Sequence, residues 1–169
     1  MKRAYNFNAG PSAMPLEVLL EAQEEFLNYQ NTGMSIIEMS HRSSEYAAMH
    51  AETKQLLREL MEIPEDYEIM FIQGGGSTQF LMTAANFNTK KYAAYVNTGV
   101  WAKKAMAEGK FYGEVYEAAT SADKNHSYIP QEFTLRPDTS YVHLTANNTI
   151  YGTEYKDFPK FDVPVICDM

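Results

Sequence analysis

The 169-residue chain has a single cysteine, Cys167, which leaves no internal disulfide framework and no multi-thiolate metal site to consider. That thiol reads as a small hydrophobe within a strand. Basic charge is also scarce: 14 Lys and Arg stand against 22 Asp and Glu, for a formal charge of -8. Nucleic-acid binders draw most of their affinity from Lys and Arg on phosphates, so that class is excluded, and an acidic chain that holds a phosphate must do so through local geometry. No apolar run approaches the length of a membrane span, which argues against a membrane partner. The opening MKRAYNFNAGPS has two basic residues without the apolar stretch of an export signal, and the expectation is a cytoplasmic protein. His50, His126 and His143 show neither metal spacing nor a nucleophile partner, and no metal site is expected.

What is present suffices for a core, at 45% hydrophobic residues. Residues 1–14 read as a Gly- and Pro-containing arm. Pro15 suits a first helical position, and Leu16, Leu19, Leu20, Phe26 and Leu27 keep a helical period as far as Asn31 and Gly33. Ser43 or Ser44 can cap a second helix, whose apolar face runs from Tyr46 to Met61 before Pro64. Beyond it, short strands alternate with helices: YEIMFI, STQFLMTAANF, KYAAYVNT, VWAKKAMAEGK and GEVYEAAT, then a polar connection over 120–140, then SYVHLTANN and DVPVICDM. That rhythm predicts an α/β fold with a mainly parallel sheet and helices on both faces. Several strands end in small or polar residues followed by a turn. This gathers Gly74 to Ser77, Asn97 to Trp101, Asn147 to Thr149, and Asp168 along one sheet edge, where α/β proteins bind ligands.

Each group has a functional and a plainer reading. In FIQGGGSTQF, three glycines precede a helix whose first turn carries Ser77 and Thr78. Glycines admit a ligand close to the backbone, and N–H groups at a helix start bind an anion; the alternative is an N-capped strand-to-helix turn. Neither the P-loop nor the dinucleotide spacing is present. Trp101, the only tryptophan, lies just past a strand end, where an aromatic ring can stack on a planar ligand or serve as a core residue. Lys103 and Lys104 fit a solvated helix face. His41 and Arg42 stand side by side in a loop and fit either a phosphate or carboxylate ligand, or a surface ion pair with Glu38 or Glu45. Asp168, at the end of an apolar run expected to form a buried strand, needs a partner: a backbone N–H, an arginine or a cationic heterocycle.

Taken in order, NFNAGPSAMP, SHRSSEY, GGGSTQF, NTGVWAKKA, NNTIYG and the strand-end CDM resemble the phosphoserine aminotransferase family, pyridoxal-phosphate enzymes of the class V aminotransferase group with the type I fold. The resemblance extends from Asn6 to Asp168 and implies that residues 15–169 are the N-terminal part of a large cofactor-binding domain. It further implies that Gly76 and Ser77 hold the cofactor phosphate, Trp101 stacks on the pyridine ring, Thr149 bonds near the ring hydroxyl, and Asp168 pairs with the ring nitrogen. Trp101 and Asp168 would thereby act in catalysis. His41 and Arg42 would bind the substrate phosphate or the distal carboxylate of glutamate, across a homodimer interface. The implied reaction carries the amino group of L-glutamate to a phosphorylated 2-keto acid, 3-phosphohydroxypyruvate, in serine biosynthesis, with a related step in pyridoxine biosynthesis.

Two features depart from the family pattern. Some members carry an arginine directly after the glycines where this chain has Ser77, so recognition of the substrate phosphate leans on other cations. In the family the Schiff-base lysine lies beyond the strand-end aspartate, and this chain ends before it. No other lysine of the sequence is placed to substitute, and the expectation is that the chain alone is inactive. The reading from another class is a non-catalytic phosphate-ligand binding module derived from the same fold.

Overall fold

The computed structural model describes residues 3–169, which divide into two compact units, the first ending at Ile72 and the second spanning Gln73–Met169. No helix among the described residues is long and apolar enough to cross a membrane.

The first unit contains α1 (Leu16–Glu25), two short 3-10 turns (Tyr29–Asn31 and Ile36–Glu38) and α2 (Ser44–Leu60). Pro15 is the N-cap of α1, one position before the first helical place expected for it. The helical period of the sequence continues past Glu25, but the helix does not, and Gln30 and Asn31 take positive φ in the turn that follows. Ser43 caps α2 by accepting a hydrogen bond from the Tyr46 N–H at 3.2 Å. At the other end Arg58 donates to the carbonyls of Ile63, Pro64 and Tyr67, tying the following turn back to the helix. The strand expected over YEIMFI does not form. Residues 67–72 carry β-forming side chains, but a strand exists only where a neighbour takes its N–H and C=O groups, and among the described residues none does.

The second unit is built on α3 (Gly76–Phe87), β1 (Tyr92–Asn97), α4 (Val100–Gly109), β2 (Glu114–Thr120), β3 (Thr139–Thr145) and β6 (Val165–Asp168), with a short antiparallel pair, β4 (Asn147–Asn148) and β5 (Thr153–Glu154), between the last two long elements. The four long strands form one parallel sheet in the order β2-β1-β3-β6. Alternation along the strands separates two cores. Ala93, Tyr95 and Tyr141 face Phe80 of α3 and Ala105 of α4, with Ile166 packed against them. Ala94, Val96, Tyr116, Ala118, Val142 and Leu144 face the other way, where Phe133, Leu135, Tyr155, Phe161 and Val163 from irregular segments cover them.

Two expected strands come out shorter than their apolar runs. SYVHLTANN breaks at Ala146, whose N–H donates to Asp168 O at 2.8 Å and whose carbonyl accepts from Tyr155 N at 2.9 Å, so Asn147 and Asn148 leave the sheet for the small hairpin. DVPVICDM is in the sheet from Val165, just after Pro164, which has no N–H to donate. Nor is this last strand buried as expected. It has a single neighbour among the described residues, β3, and its side chains are half-buried, with Val165 42% exposed.

This order has a functional consequence. From β1 the chain passes through α4 to β2 on one side, while β3 leads to β6 on the other, so the connections leave the β1–β3 pair in opposite directions. Strand order reverses there, and a crevice opens beyond the carboxyl ends of the two strands.

Candidate functional site

A cleft of about 350 Å³ occupies that position, lined by Gly76, Ser77, Phe80, Trp101, Asn147, Thr149, Asp168 and Met169. The four groups of residues expected to share one sheet edge therefore do share it.

The α3 wall starts at Gly74, whose φ of +101° favours glycine and where an added Cβ would lie 3.1 Å from the Thr78 side chain. Gly75 and Gly76 differ: a Cβ on either would meet no atom within 4 Å, so their missing side chains leave open space. Among the described residues no side chain caps α3, no acidic residue occupies its first turn, and the first helical bond is donated by Gln79 N to Gly75 O. Its leading N–H groups are thus left for an anion, with the positive end of the helix dipole behind them. Phe80, one turn after Gly76, forms the apolar part of this wall; the i to i+4 spacing on α3 was the available signal for it.

The α4 wall depends on Gly99. Its φ is +151°, and a Cβ there would come within 2.8 Å of the Tyr151 ring, so only glycine lets the chain turn from β1 into the helix against the hairpin. Trp101 follows in the first turn. Its Nε1–H donates to Thr149 Oγ1 at 3.1 Å. Having accepted this bond, the threonine hydroxyl still has its own proton to donate to a ligand. The Asn147–Thr149 segment is anchored from behind by buried Asn148, which accepts from Thr98 Oγ1 and donates to Thr153 Oγ1, both at 3.1 Å.

Asp168 closes the cleft from β6, paired in register with Thr145 of β3. It is half-buried, and burial pushes its carboxyl up from the ordinary aspartate value. Among the described residues no hydrogen-bond donor to the side chain and no ion-pair partner is present. Neither protein partner anticipated for it, a backbone N–H or an arginine, is there. A partly desolvated carboxylate in this position is suited to a cationic ligand group.

The floor is rigid. Phe80 stands edge-on to buried His143 with ring centroids 5.8 Å apart, His143 stacks on Tyr95 at 5.1 Å, and the Tyr95 and Tyr141 hydroxyls bond at 2.7 Å. Burial pulls the His143 imidazole down to a pKa of about 4, so it is neutral at pH 7.

His41 and Arg42 lie exposed in the first unit, in the turn before α2. Neither is ion-paired with Glu38 or Glu45 among the described residues: Glu38 accepts from Ser35 N, and Glu45 accepts from Ser44 Oγ. The plainer reading of the pair as a surface salt bridge is not realised.

Residues 4–164 match the family described as aminotransferase class-V. The phosphoserine aminotransferase of Bacillus subtilis (strain 168) is 52% identical over 171 residues, covering 100% of this chain and 48% of its own length. Among solved structures, phosphoserine aminotransferase from Bacillus circulans subsp. alkalophilus superposes with a TM-score of 0.94 at 51% identity, over 99% of this chain and 47% of its own. The PLP-bound phosphoserine aminotransferase of Trichomonas vaginalis gives a TM-score of 0.90 at 38% identity, over 98% and 47% respectively. The chain spans about half the length of the curated relatives it matches.

Proposed function

The chain belongs to the class-V aminotransferase family, and on that premise we propose that its cleft is the pyridoxal-phosphate cradle of a phosphoserine aminotransferase. The enzyme would move the amino group of L-glutamate to 3-phosphohydroxypyruvate, giving phosphoserine and 2-oxoglutarate for serine biosynthesis, and would serve the related amination in pyridoxine biosynthesis. It would work in the cytoplasm as a homodimer. Residues 1–14 form an arm in this reading, and residues 15–169 belong to the large, cofactor-binding domain.

The observation that carries the proposal is the Asp168 carboxylate, half-buried and without a partner among the described residues, in one cleft with a tryptophan and a helix start that no described side chain caps. These features fit the proposed cofactor, which joins a dianionic phosphate to a flat ring with a basic nitrogen. Gly76 and Ser77 would hold the phosphate through their N–H groups and the serine hydroxyl. Trp101 would lie against the ring, Thr149 would donate to the ring hydroxyl, and Phe80 would keep water from below. When bound, the cofactor supplies an electron sink for the pair left on the substrate Cα after its proton departs. Asp168 would favour that sink by holding a proton on the ring nitrogen through charge pairing. His41 and Arg42, with no ion pair among the described residues, would bind the substrate phosphate or the glutamate carboxylate.

No lysine lines the cleft among the described residues. The 169-residue chain taken alone is therefore proposed to bind the cofactor without a covalent link and without turnover. Titration with pyridoxal phosphate, followed by absorbance and by quenching of Trp101, tests the proposal. Saturable binding is expected, with no borohydride-fixed adduct at a unique lysine. Pyridoxal without the phosphate and the Asp168→Asn variant should each bind on the order of tenfold more weakly, about 1.4 kcal/mol. Equal affinity for pyridoxal, or an unaffected Asp168→Asn variant, would remove the assigned roles.

A further inference from the structure

Lys104 follows Trp101 by three residues on α4, a spacing that brings side chains together on a helix. Its Nζ lies 4.6 Å from the centroid of the indole ring. Lys103, its neighbour in sequence, makes no such contact among the described residues and is exposed. Trp101 lines the cleft and Lys104 does not. The indole edge is held independently by the bond from Nε1 to Thr149 Oγ1. Trp101 is only partly buried and belongs to neither core cluster, so core packing does not select its ring orientation. An ammonium over one face and a hydroxyl at one edge together define a plane.

We propose that Lys104 is a positioning residue: its ammonium rests on the Trp101 indole and fixes the ring plane, together with Thr149 at the edge, so that the ring is preorganised for a flat heteroaromatic ligand. The inference rests on the reading of the cleft as a cofactor cradle, but the clamp acts on Trp101 with or without ligand. It assigns to Lys104 a task that a solvated helix face does not require.

Because Trp101 is the only tryptophan, its fluorescence reports on this ring alone. The experiment compares Lys104→Met, Lys104→Arg and Lys103→Met in the full 169-residue chain, with circular dichroism confirming the fold of each. Lys104→Met is expected to shift the Trp101 emission and lower its anisotropy in the ligand-free chain, and to weaken pyridoxal-phosphate binding roughly two- to fivefold, the range of a surface cation–π contact. Lys104→Arg, which keeps a cation over the ring, should restore both. Lys103→Met should leave the anisotropy unchanged. Unaltered emission and anisotropy in Lys104→Met would overturn the proposal. So would an equal loss of affinity in Lys103→Met, since that would mark a general attraction of lysines for an anion. If the unsubstituted chain binds no pyridoxal phosphate while Lys104→Met still loosens the ring, the cradle reading fails and the clamp stands.

Discussion

Replacing Gly76 by alanine separates what the α3 start does for the fold from what it does for a ligand. In most glycine substitutions the added methyl strains the backbone or strikes a neighbour. At Gly76 neither applies: the residue opens a helix, its φ lies outside the left-handed region, and a Cβ would meet no protein atom within 4 Å. Alanine lowers the conformational entropy of the unfolded chain and favours the helix, so the variant should be more stable by about 0.4–1 kcal/mol. The same methyl would stand in the space proposed for the cofactor phosphate. Forcing a methyl group into a filled site costs about 1–3 kcal/mol, which corresponds to a loss of roughly 5- to 150-fold in affinity. Urea unfolding measures the first quantity and quenching of Trp101 by pyridoxal phosphate the second. A stabilised variant that binds the cofactor unchanged would show that the phosphate is held elsewhere. A destabilised one would contradict the open space at this position.

Gly99→Ala should behave in the opposite way. A φ of +151° is a region nearly confined to glycine, at about 1–3 kcal/mol for another residue, and contact with the Tyr151 ring at 2.8 Å adds about 1–3 kcal/mol. A total loss of roughly 2–6 kcal/mol is expected in urea unfolding, and a loss below about 1 kcal/mol would refute the assigned role of the turn. His143 should impose a pH dependence on stability. Its folded pKa of about 4 lies below the ordinary 6.5, so the unfolded state takes up the proton first. The stabilisation is fully present above pH 6.5 and is lost as pH falls toward 4, by roughly 3 kcal/mol at most. His143→Phe should flatten the change in urea midpoint between pH 7 and 4, and an unchanged slope in the variant would assign it to other groups.

Both helices of the first unit were legible in the sequence, and so was the alternation of strands and helices in the second unit. Its strands are short apolar runs ended by polar residues, its helices begin at glycines or small residues, and both signals are local. The strand ends can be grouped from the sequence because parallel strands present all their carboxyl ends to one side. Phe80 was missed: its i to i+4 spacing from Gly76 puts it on the face of α3 that the glycines open, but the period alone does not say that this face looks into a cleft. The contact of Lys104 with Trp101 was missed too, because a lysine on a helix has the same sequence signature whether its ammonium meets water or an indole. The segment 67–72 marks a different limit. Its β-forming side chains were legible, but whether they belong to a strand depends on a neighbour that periodicity cannot reveal.

The overall charge of -8 looks unfavourable for a phosphate ligand until the charge is resolved along the cleft. The proposed cofactor is bipolar, with an anionic phosphate at one end and a protonatable nitrogen at the other, and the lining is bipolar in the same sense. At the α3 end there is no acidic residue in the first turn, and backbone N–H groups supply the positive field. At the β6 end Asp168 is the only ionisable side chain lining the cleft among the described residues. Its raised pKa means that the carboxylate is less favourable there than in water, so pairing it with a ring cation relieves a penalty already present in the ligand-free fold. Beneath both ends the helix-facing side of the sheet changes from rings, in Tyr95 and His143, to Asp168 and Thr145 within two residues along the strands. The apolar rows below fix the backbone from which the carboxylate projects. The geometry that holds the two poles apart is therefore a property of the core, and screening by salt should weaken capture of the ligand more than it alters the arrangement of the site.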